Sequence, residues 1–289
     1  MSSTTKYNIG IIGKGFVGSA VAFGFSPSTG YDSNIRVYDT DESKSTHSLS
    51  EVLHESEFIF LSVPTPSNQN GSINLDIVHS LFEEMNNLNT NNNSIILLRS
   101  TVTPGTTREL QNRYGNLNIV FNPEFLTERS SKLDFINPAR HILGGNSTYT
   151  QRVAELYKDR FGQHCPIIQT DFETAELTKY ACNIYFATKV SFMNEMKSLS
   201  DVAGGNWDDL VDGLSLDGRI GHSHLAVPGP DGKRGFGGSC FPKDIQAIIH
   251  YAESNGVNPN VIKGAWETNL EVRPEQDWKE LKGRAVVDE

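Results

Sequence analysis

The feature that most constrains the fold is the stretch from Tyr7 to Phe25. Tyr-Asn-Ile-Gly-Ile-Ile (7–12) leads into Gly13-Lys14-Gly15-Phe16-Val17-Gly18, and then into the small and apolar residues Ser19–Phe25. A short buried strand, a G-x-G-x-x-G turn and a helix able to lie close on a sheet open a dinucleotide-binding βαβ unit. The first glycine makes the tight turn, the second lets the main chain approach a pyrophosphate, and the third lets helix and strand pack closely. The amides of Phe16 and Val17 at the helix start then face the anion. A second strand, Asn34–Tyr38, ends in Asp39, placed to accept from both ribose hydroxyls, which favours NAD over NADP. Arg36 raises the NADP option, but it stands mid-strand beside no second cation.

The chain continues in the same alternation. Leu49–Glu55 reads as helix, and Phe58–Val63 as a third strand closed by Pro64-Thr65-Pro66. A polar loop is expected at Asn86–Asn93, a fourth strand at Ser94–Arg99, and two more at Leu117–Asn122 and His141–Gly144. Strands alternating with helices predict the α/β class, with a doubly wound parallel sheet. After Thr170 the character changes. Asp171–Ala203 holds neither Pro nor Gly and reads as one long helix, broken at Gly204-Gly205 and leading into a smaller, mainly helical domain. Residues 227–239 are rich in Gly and Pro and read as loop, Pro242–Ser254 as helix, and Leu281–Val287 as a strand-like fragment. The expected organisation is a Rossmann-type domain over 1–170, a helical domain over 171–270 and a tail over 271–289. No internal repeat is visible.

Charge and cysteine usage narrow the function classes. Acidic residues outnumber basic ones 35 to 25, a formal net charge of −10, which argues against a nucleic-acid partner because phosphate backbones demand a basic face. Cys165, Cys182 and Cys240 are odd in number and far apart, with no zinc spacing and no disulfide framework. Ile9–Phe25 carries Lys14 and five glycines, unlike a secretory h-region, and no run reaches bilayer length. The expectation is a soluble, cytoplasmic protein with reduced thiols, no metal and no membrane partner.

The most informative stretch is Gly235-Phe236-Gly237-Gly238-Ser239-Cys240-Phe241-Pro242-Lys243-Asp244. Pro242 suits the first turn of a helix and keeps Phe241 out of helical geometry. Cys240 therefore stands just before a helix N-terminus, where the macrodipole favours a thiolate. Lys243 and Asp244 follow three and four residues later, the spacing that returns side chains towards the thiol. Thiolate, cation and carboxylate within one turn make a nucleophile with an acid/base partner. A nicotinamide enzyme with such a thiol suggests aldehyde-level chemistry: capture as a thiohemiacetal, loss of hydride, then thioester hydrolysis. Cys165 and Cys182 lack such neighbours and read as structural.

Phe-Gly-Gly-Ser-Cys-Phe-Pro-Lys-Asp (236–244) resembles the catalytic signature of the UDP-glucose/GDP-mannose dehydrogenase family. Further similar blocks follow in the family's order: Val63–Pro66, Ser100–Thr106, Asn122–Glu128, Asn137–Arg140, Glu176–Asn183 and Asp217–Gly221. The resemblance implies NAD-dependent oxidation of a nucleotide sugar's C6 alcohol to the carboxylate, with UDP-glucose the best guess. It implies Cys240 as nucleophile, Lys179 and Asn183 as oxyanion stabilisers one helical turn apart, and Glu124 as general base in thioester hydrolysis. Thr101 and Asp244 would position a water. The cofactor set it implies adds Pro64, Thr65, Thr101, Glu128 and Lys243 to the glycine loop. The substrate set is Glu124, Phe125, Leu126, Glu128, Lys179, Asn183, Arg219, Phe236 and Gly237. In this family Arg219 would reach a sugar across a dimer interface, so a homodimer is expected.

Two departures stand out: the segment from Asp39 to Phe58 is shorter than the family's usual one, and the family's second nucleotide-binding domain would begin about where this chain stops. Two alternatives accompany the leading reading. A 3-hydroxyacid-type dehydrogenase also uses a helical Lys and Asn but needs no thiol. A catalytically weak NAD-binding dimerisation module would bind cofactor without turnover.

Overall fold

The computed structural model describes residues 7–88 and 93–287. In chain order the elements are β1 (Asn8–Ile12), α1 (Phe16–Gly24), β2 (Asn34–Tyr38), α2 (Leu49–Glu55), β3 (Phe58–Leu61), α3 (Asp76–Asn87), β4 (Ile95–Leu98), α4 (Thr106–Arg113), β5 (Asn118–Phe121), α5 (Ser131–Ile136), β6 (His141–Gly145), α6 (Ser147–Phe161) and β7 (Ile167–Thr170), then α7 (Phe172–Ala203), α8 (Trp207–Ser215), α9 (Phe241–Ser254) and α10 (Asn260–Val272). They divide into two units. The first comprises the chain through Thr65 together with Leu75–Lys179; the second comprises Pro66–Asn74 and the chain from Tyr180 onwards.

The first unit is a seven-stranded sheet in the order β2-β1-β3-β4-β5-β6-β7. Strands β3 and β4 are Phe-Ile-Phe-Leu and Ile-Ile-Leu-Leu, with every residue buried, because helices cover both faces. One apolar cluster includes Val52, Phe82, Leu110 and Phe172, and the other Val21, Phe135, Val153 and Tyr157. Strand β1 pairs in parallel with β2 on one side and β3 on the other, so the order reverses at β1/β3, and the crevice beyond their carboxyl ends is where such sheets bind ligands. Local signals agree: Ser48 and Glu51 close a reciprocal capping box at the start of α2, and Asn146 caps α6.

The sheet departs from the all-parallel expectation at one pair. Strands β5 and β6 run antiparallel, with Val120 opposite Gly145. A parallel return needs a crossover helix that carries the chain back along the sheet. Helix α5 has only six residues and packs on α1, where the Phe135 ring lies 2.2 Å from the point a Cβ on Gly24 would occupy. The chain therefore re-enters from the edge it left. Strand β7 was not expected from the sequence; it is a parallel edge strand with a half-exposed, mixed-polarity pattern. Of the expected polar loop Asn86–Asn93, Asn86 and Asn87 complete α3, while residues 89–92 lie outside the described residues.

In the second unit α7 ends at Ala203, followed by Gly204 at φ +69°, the left-handed conformation that stops a helix. Asn206 then caps α8 by accepting from the amides of Asp208 and Asp209. Met193, Leu225 and Val227 form a small core with Trp207, Val211 and Leu214 against it. The fragment Leu281–Val287 is not a strand of the sheet: it holds only single bridges, from Val286 to Ser67 and to Lys282.

Candidate active site

The glycine turn follows β1 and is built as its spacing requires. Gly13 has φ +84°, and a Cβ there would meet the Ser62 carbonyl oxygen at 2.2 Å. A Cβ on Gly18 would lie 2.0 Å from the Gly13 oxygen. Gly15 differs from both, since nothing lies within 4 Å of its would-be Cβ. It is the N-cap of α1 and offers no side-chain acceptor, so the amides at the helix start, including those of Phe16 and Val17, suit an incoming anion. Asp39 anchors the turn: its Oδ2 accepts from the Lys14 amide at 2.6 Å and its Oδ1 from the Asp41 amide at 2.9 Å. Arg36 is tied to Glu55 at 2.6 Å, which engages the cation that raised the NADP option. An open glycine, a helix start and an acidic residue at the end of β2 fit a dinucleotide.

The ends of β3 and β4 are pinned to each other. Ser100 Oγ accepts from the Val63 amide at 2.9 Å and donates to the Val63 carbonyl at 2.8 Å. This holds exposed Pro64 and buried Thr65 beyond β3, and half-buried Thr101 beyond β4, at the carboxyl edge of the sheet. Glu176 on α7 stabilises the next turn: wholly buried, it accepts from the amides of Gly105 and Thr107 and from the Thr107 hydroxyl. Burial raises its carboxyl above the ordinary glutamate range.

Glu124 and Lys179 form a buried pair. The Lys179 ammonium donates to Glu124 Oε1 and to the Glu124 carbonyl, each at 2.7 Å. The second carboxylate oxygen, Oε2, accepts from the Leu126 amide at 2.7 Å. The Phe125 ring stands between two cations, Arg140 at 4.0 Å and Lys179 at 5.6 Å from its centroid. Glu128 is instead exposed on the following turn. The carboxylate that gathers Thr127 and Ser130 there belongs to Asp134.

In the second unit Cys240 is the N-cap of α9, directly before Phe241 and Pro242. Asp244 is almost fully buried. Its Oδ1 accepts from Lys243 at 2.5 Å and its Oδ2 from Asn183 Nδ2 at 2.6 Å. Its amide also donates to the Cys240 carbonyl at 2.9 Å. Lys243 and Asp244 thus satisfy each other, with Asn183 as third member. Ser239 Oγ lies 3.7 Å from the Cys240 sulfur. Buried Phe236 and half-buried Gly237 belong to the loop before the cysteine, and the Arg219 side chain is 90% exposed and paired to Asp217. Residues the sequence reading assigned no role include Ser100, Glu176 and Asn269. An asparagine four residues after Ala265, on the helix face that buries that alanine, was the available signal for the last of these. Among the described residues no His, Cys, Asp and Glu cluster could hold a metal, and no helix is long and apolar enough to cross a membrane.

Fold and site define a chain with a Rossmann-type NAD-binding unit and a second, helical unit. The chain belongs to the UDP-glucose/GDP-mannose dehydrogenase family: that family's NAD binding domain matches residues 36–160 and its central domain residues 173–271. A UDP-glucose 6-dehydrogenase of Rickettsia felis is 36% identical over 231 residues, covering 78% of this chain and 50% of the relative. The chain spans about half the length of the curated relatives it matches. Among solved structures, a UDP-glucose dehydrogenase from Pyrobaculum islandicum superposes with a TM-score of 0.80 at 26% identity, covering 94% of this chain and 69% of that one. A 3-hydroxyisobutyrate dehydrogenase from Mycobacterium tuberculosis shares the fold, with a TM-score of 0.74 at 15% identity over 94% of this chain and 95% of that one. The cofactor of this chain is NAD.

Proposed function

We propose that the chain oxidises the C6 primary alcohol of a nucleotide sugar, UDP-glucose first among the candidates, to the carboxylate in two steps, through a covalent intermediate on Cys240. The observation that carries this reading is the cysteine itself: it stands at the N-cap position of α9, whose first turn carries the buried Lys243–Asp244 pair bonded to Asn183, in a dehydrogenase that would need no nucleophile for a single alcohol oxidation. The glycine loop, Asp39, Pro64, Thr65, Thr101, Glu128 and Lys243 would hold the cofactor. NAD, bound afresh for each oxidation, supplies the hydride acceptor.

In the first oxidation the alcohol loses a hydride from carbon and passes the proton of its oxygen to solvent through the water held by Thr101 and Asp244. The Cys240 thiolate then adds to the aldehyde carbon, and the carbonyl oxygen becomes the thiohemiacetal hydroxyl by taking a proton. Lys179 and Asn183 stabilise charge on that oxygen while it develops. Loss of a second hydride from carbon and of the hydroxyl proton gives the thioester. Glu124 withdraws a proton from a water held by Thr101 and Asp244, the hydroxide attacks the acyl carbon, and the Cys240 thiolate leaves. Phe125, Leu126, Glu128, Phe236 and Gly237 would line the sugar. Arg219, extended into solvent, suits a sugar held by a second copy of the chain, and the second unit exposes Tyr185, Phe192 and Leu199 at intervals of seven along α7. A homodimer pairing through this stripe, acting in the cytoplasm, completes the proposal.

The test is NADH formation from NAD and a panel of nucleotide sugars, comparing the native chain with Cys240→Ser. Two NADH per sugar, with complete turnover lost in the variant, is the expected result. Turnover that survives Cys240→Ser would favour the 3-hydroxyacid-type chemistry, and cofactor binding without turnover the binding module.

A further inference from the structure

No ladder of strand or helix holds residues 234–239, yet this loop sets the position of Cys240. Side-chain amides do the holding. Asn269 of α10 is wholly buried; its Oδ1 accepts from the Phe236 amide at 2.7 Å and its Nδ2 donates to the Phe236 carbonyl at 3.0 Å. Asn194 of α7 accepts from the Gly235 amide at 3.2 Å. The loop lies flat on these groups: a Cβ on Gly235 would stand 2.4 Å from Asn269 Oδ1, and one on Gly237 2.5 Å from Arg273 Nη2. Arg273 is itself buried and fixed by Asp231 at 2.8 Å and Asp277 at 2.6 Å.

We propose that Asn269 is a positioning residue for Cys240, clamping the Phe236 main chain so that the loop delivers the thiol to the first turn of α9. This rests on the reading of Cys240 as the nucleophile. The two hydrogen bonds mimic a pair of ladder bonds, and an amide is the side chain that gives and takes at once. Losing the clamp strands a buried N–H and a buried carbonyl, which the loop satisfies only by moving. The residues it moves lie within four positions of the sulfur.

The experiment follows iodoacetamide alkylation of each cysteine by peptide mass spectrometry at neutral pH, together with steady-state kinetics on UDP-glucose. The variants are Asn269→Leu, which removes both bonds, and Asn269→Asp, which keeps the acceptor for the Phe236 amide. Val211→Ala, in the small core of the second unit, serves as a control for lost stability. In Asn269→Leu, Cys240 alkylation should slow about tenfold, because the thiol loses its place at the helix start. Cys165 and Cys182 should react as in the native chain, and kcat should fall with KM for NAD unchanged. Asn269→Asp should lie between the two, and Val211→Ala should leave Cys240 reactivity native. Unchanged or faster Cys240 alkylation in folded Asn269→Leu, or equal slowing in Val211→Ala, would overturn the proposal. If Asn269→Leu does not fold, Asn269→Asp decides by the same readout. A native chain that oxidises no nucleotide sugar would defeat the functional reading, while the thiol measurement would still report on the clamp.

Discussion

Lys179 holds Glu124 by both ends, donating to the carboxylate and to the main-chain carbonyl at 2.7 Å each, with both residues buried. A buried charge that loses its partner is far costlier than the intact pair is favourable. Lys179→Met should therefore lower unfolding stability by about 3–5 kcal/mol, read as a fall in the urea midpoint. Glu124→Gln also takes the counter-charge from the buried Lys179 ammonium, though it keeps an oxygen acceptor for it, so it too should cost stability. The effect that separates the two variants should appear in turnover. With the general base gone, both oxidations proceed and the thioester accumulates, giving a burst of about two NADH per chain and an acyl mass on the Cys240 peptide. A steady rate without a burst would remove Glu124 from the hydrolytic step.

The glycines of the first turn separate fold from function. Gly15 has φ −72° and open space where a Cβ would point, so Gly15→Ala should change stability by no more than about 0.5 kcal/mol. It should still weaken NAD binding at least about tenfold, because that space is where the pyrophosphate approaches the chain. Gly13→Ala should do the reverse, lowering the melting temperature before affinity is measured, since φ +84° and the Ser62 carbonyl both oppose a side chain. Calorimetric titration with NAD and thermal melts of the two variants distinguish these outcomes. Equal loss of stability in both would mean that the Gly15 space is structural.

The chemistry-bearing motifs were legible because their physics is local. A strand, three spaced glycines and a helix announce a phosphate turn within a few residues, and Pro242 marks the first turn of α9 behind Cys240, although Phe241, expected outside the helix, is its first residue. What was hidden is what the tertiary fold decides. The expected approach of Lys243 and Asp244 to the thiol follows from helical spacing, but no spacing shows that Asn183, from another helix, shares the Asp244 carboxylate. Likewise Glu176 sits in a recognisable block, while its role as acceptor for Gly105 and Thr107 depends on contacts some seventy positions away in the chain. The antiparallel β5–β6 pair was invisible because nothing in residues 118–145 states how short α5 would be or that it would lie on α1. Strand β7, Ile-Ile-Gln-Thr with one isoleucine and one polar residue on each face and both faces partly exposed, lacks the apolar run that revealed β3 and β4.

The stripe of Tyr185, Phe192 and Leu199 gives a direct test of the proposed homodimer. These side chains are 60%, 50% and 61% exposed, a large apolar area for one helix to leave in water. Phe192→Glu puts a charge at the centre of the stripe and should convert a dimer into monomers in sedimentation velocity, with helix content unchanged. Arg219→Ala should leave the mass unchanged and raise KM for the nucleotide sugar. A native chain that sediments as a monomer at high concentration would defeat the pairing.

Acid sensitivity should trace to His141. Its ring stacks on Tyr157 with centroids 3.9 Å apart, Nε2 has no hydrogen-bond partner, and burial beside the Arg99 guanidinium pushes its pKa down to about 3. The unfolded chain takes up this proton near the ordinary histidine value of about 6.5, whereas the folded chain does not until near pH 3. Stability is therefore unaffected above about pH 6.5 and falls as the pH drops from there towards 3, because the unfolded state binds the additional proton. At pH 4.5 the loss from this one group is about 2–3 kcal/mol. His141→Phe keeps the stack and removes both the titration and the unpaired nitrogen, so the variant should retain most of that stability. Urea midpoints for both chains at pH 7 and pH 4.5 make the comparison. An equal acid loss in the two would assign it to other groups.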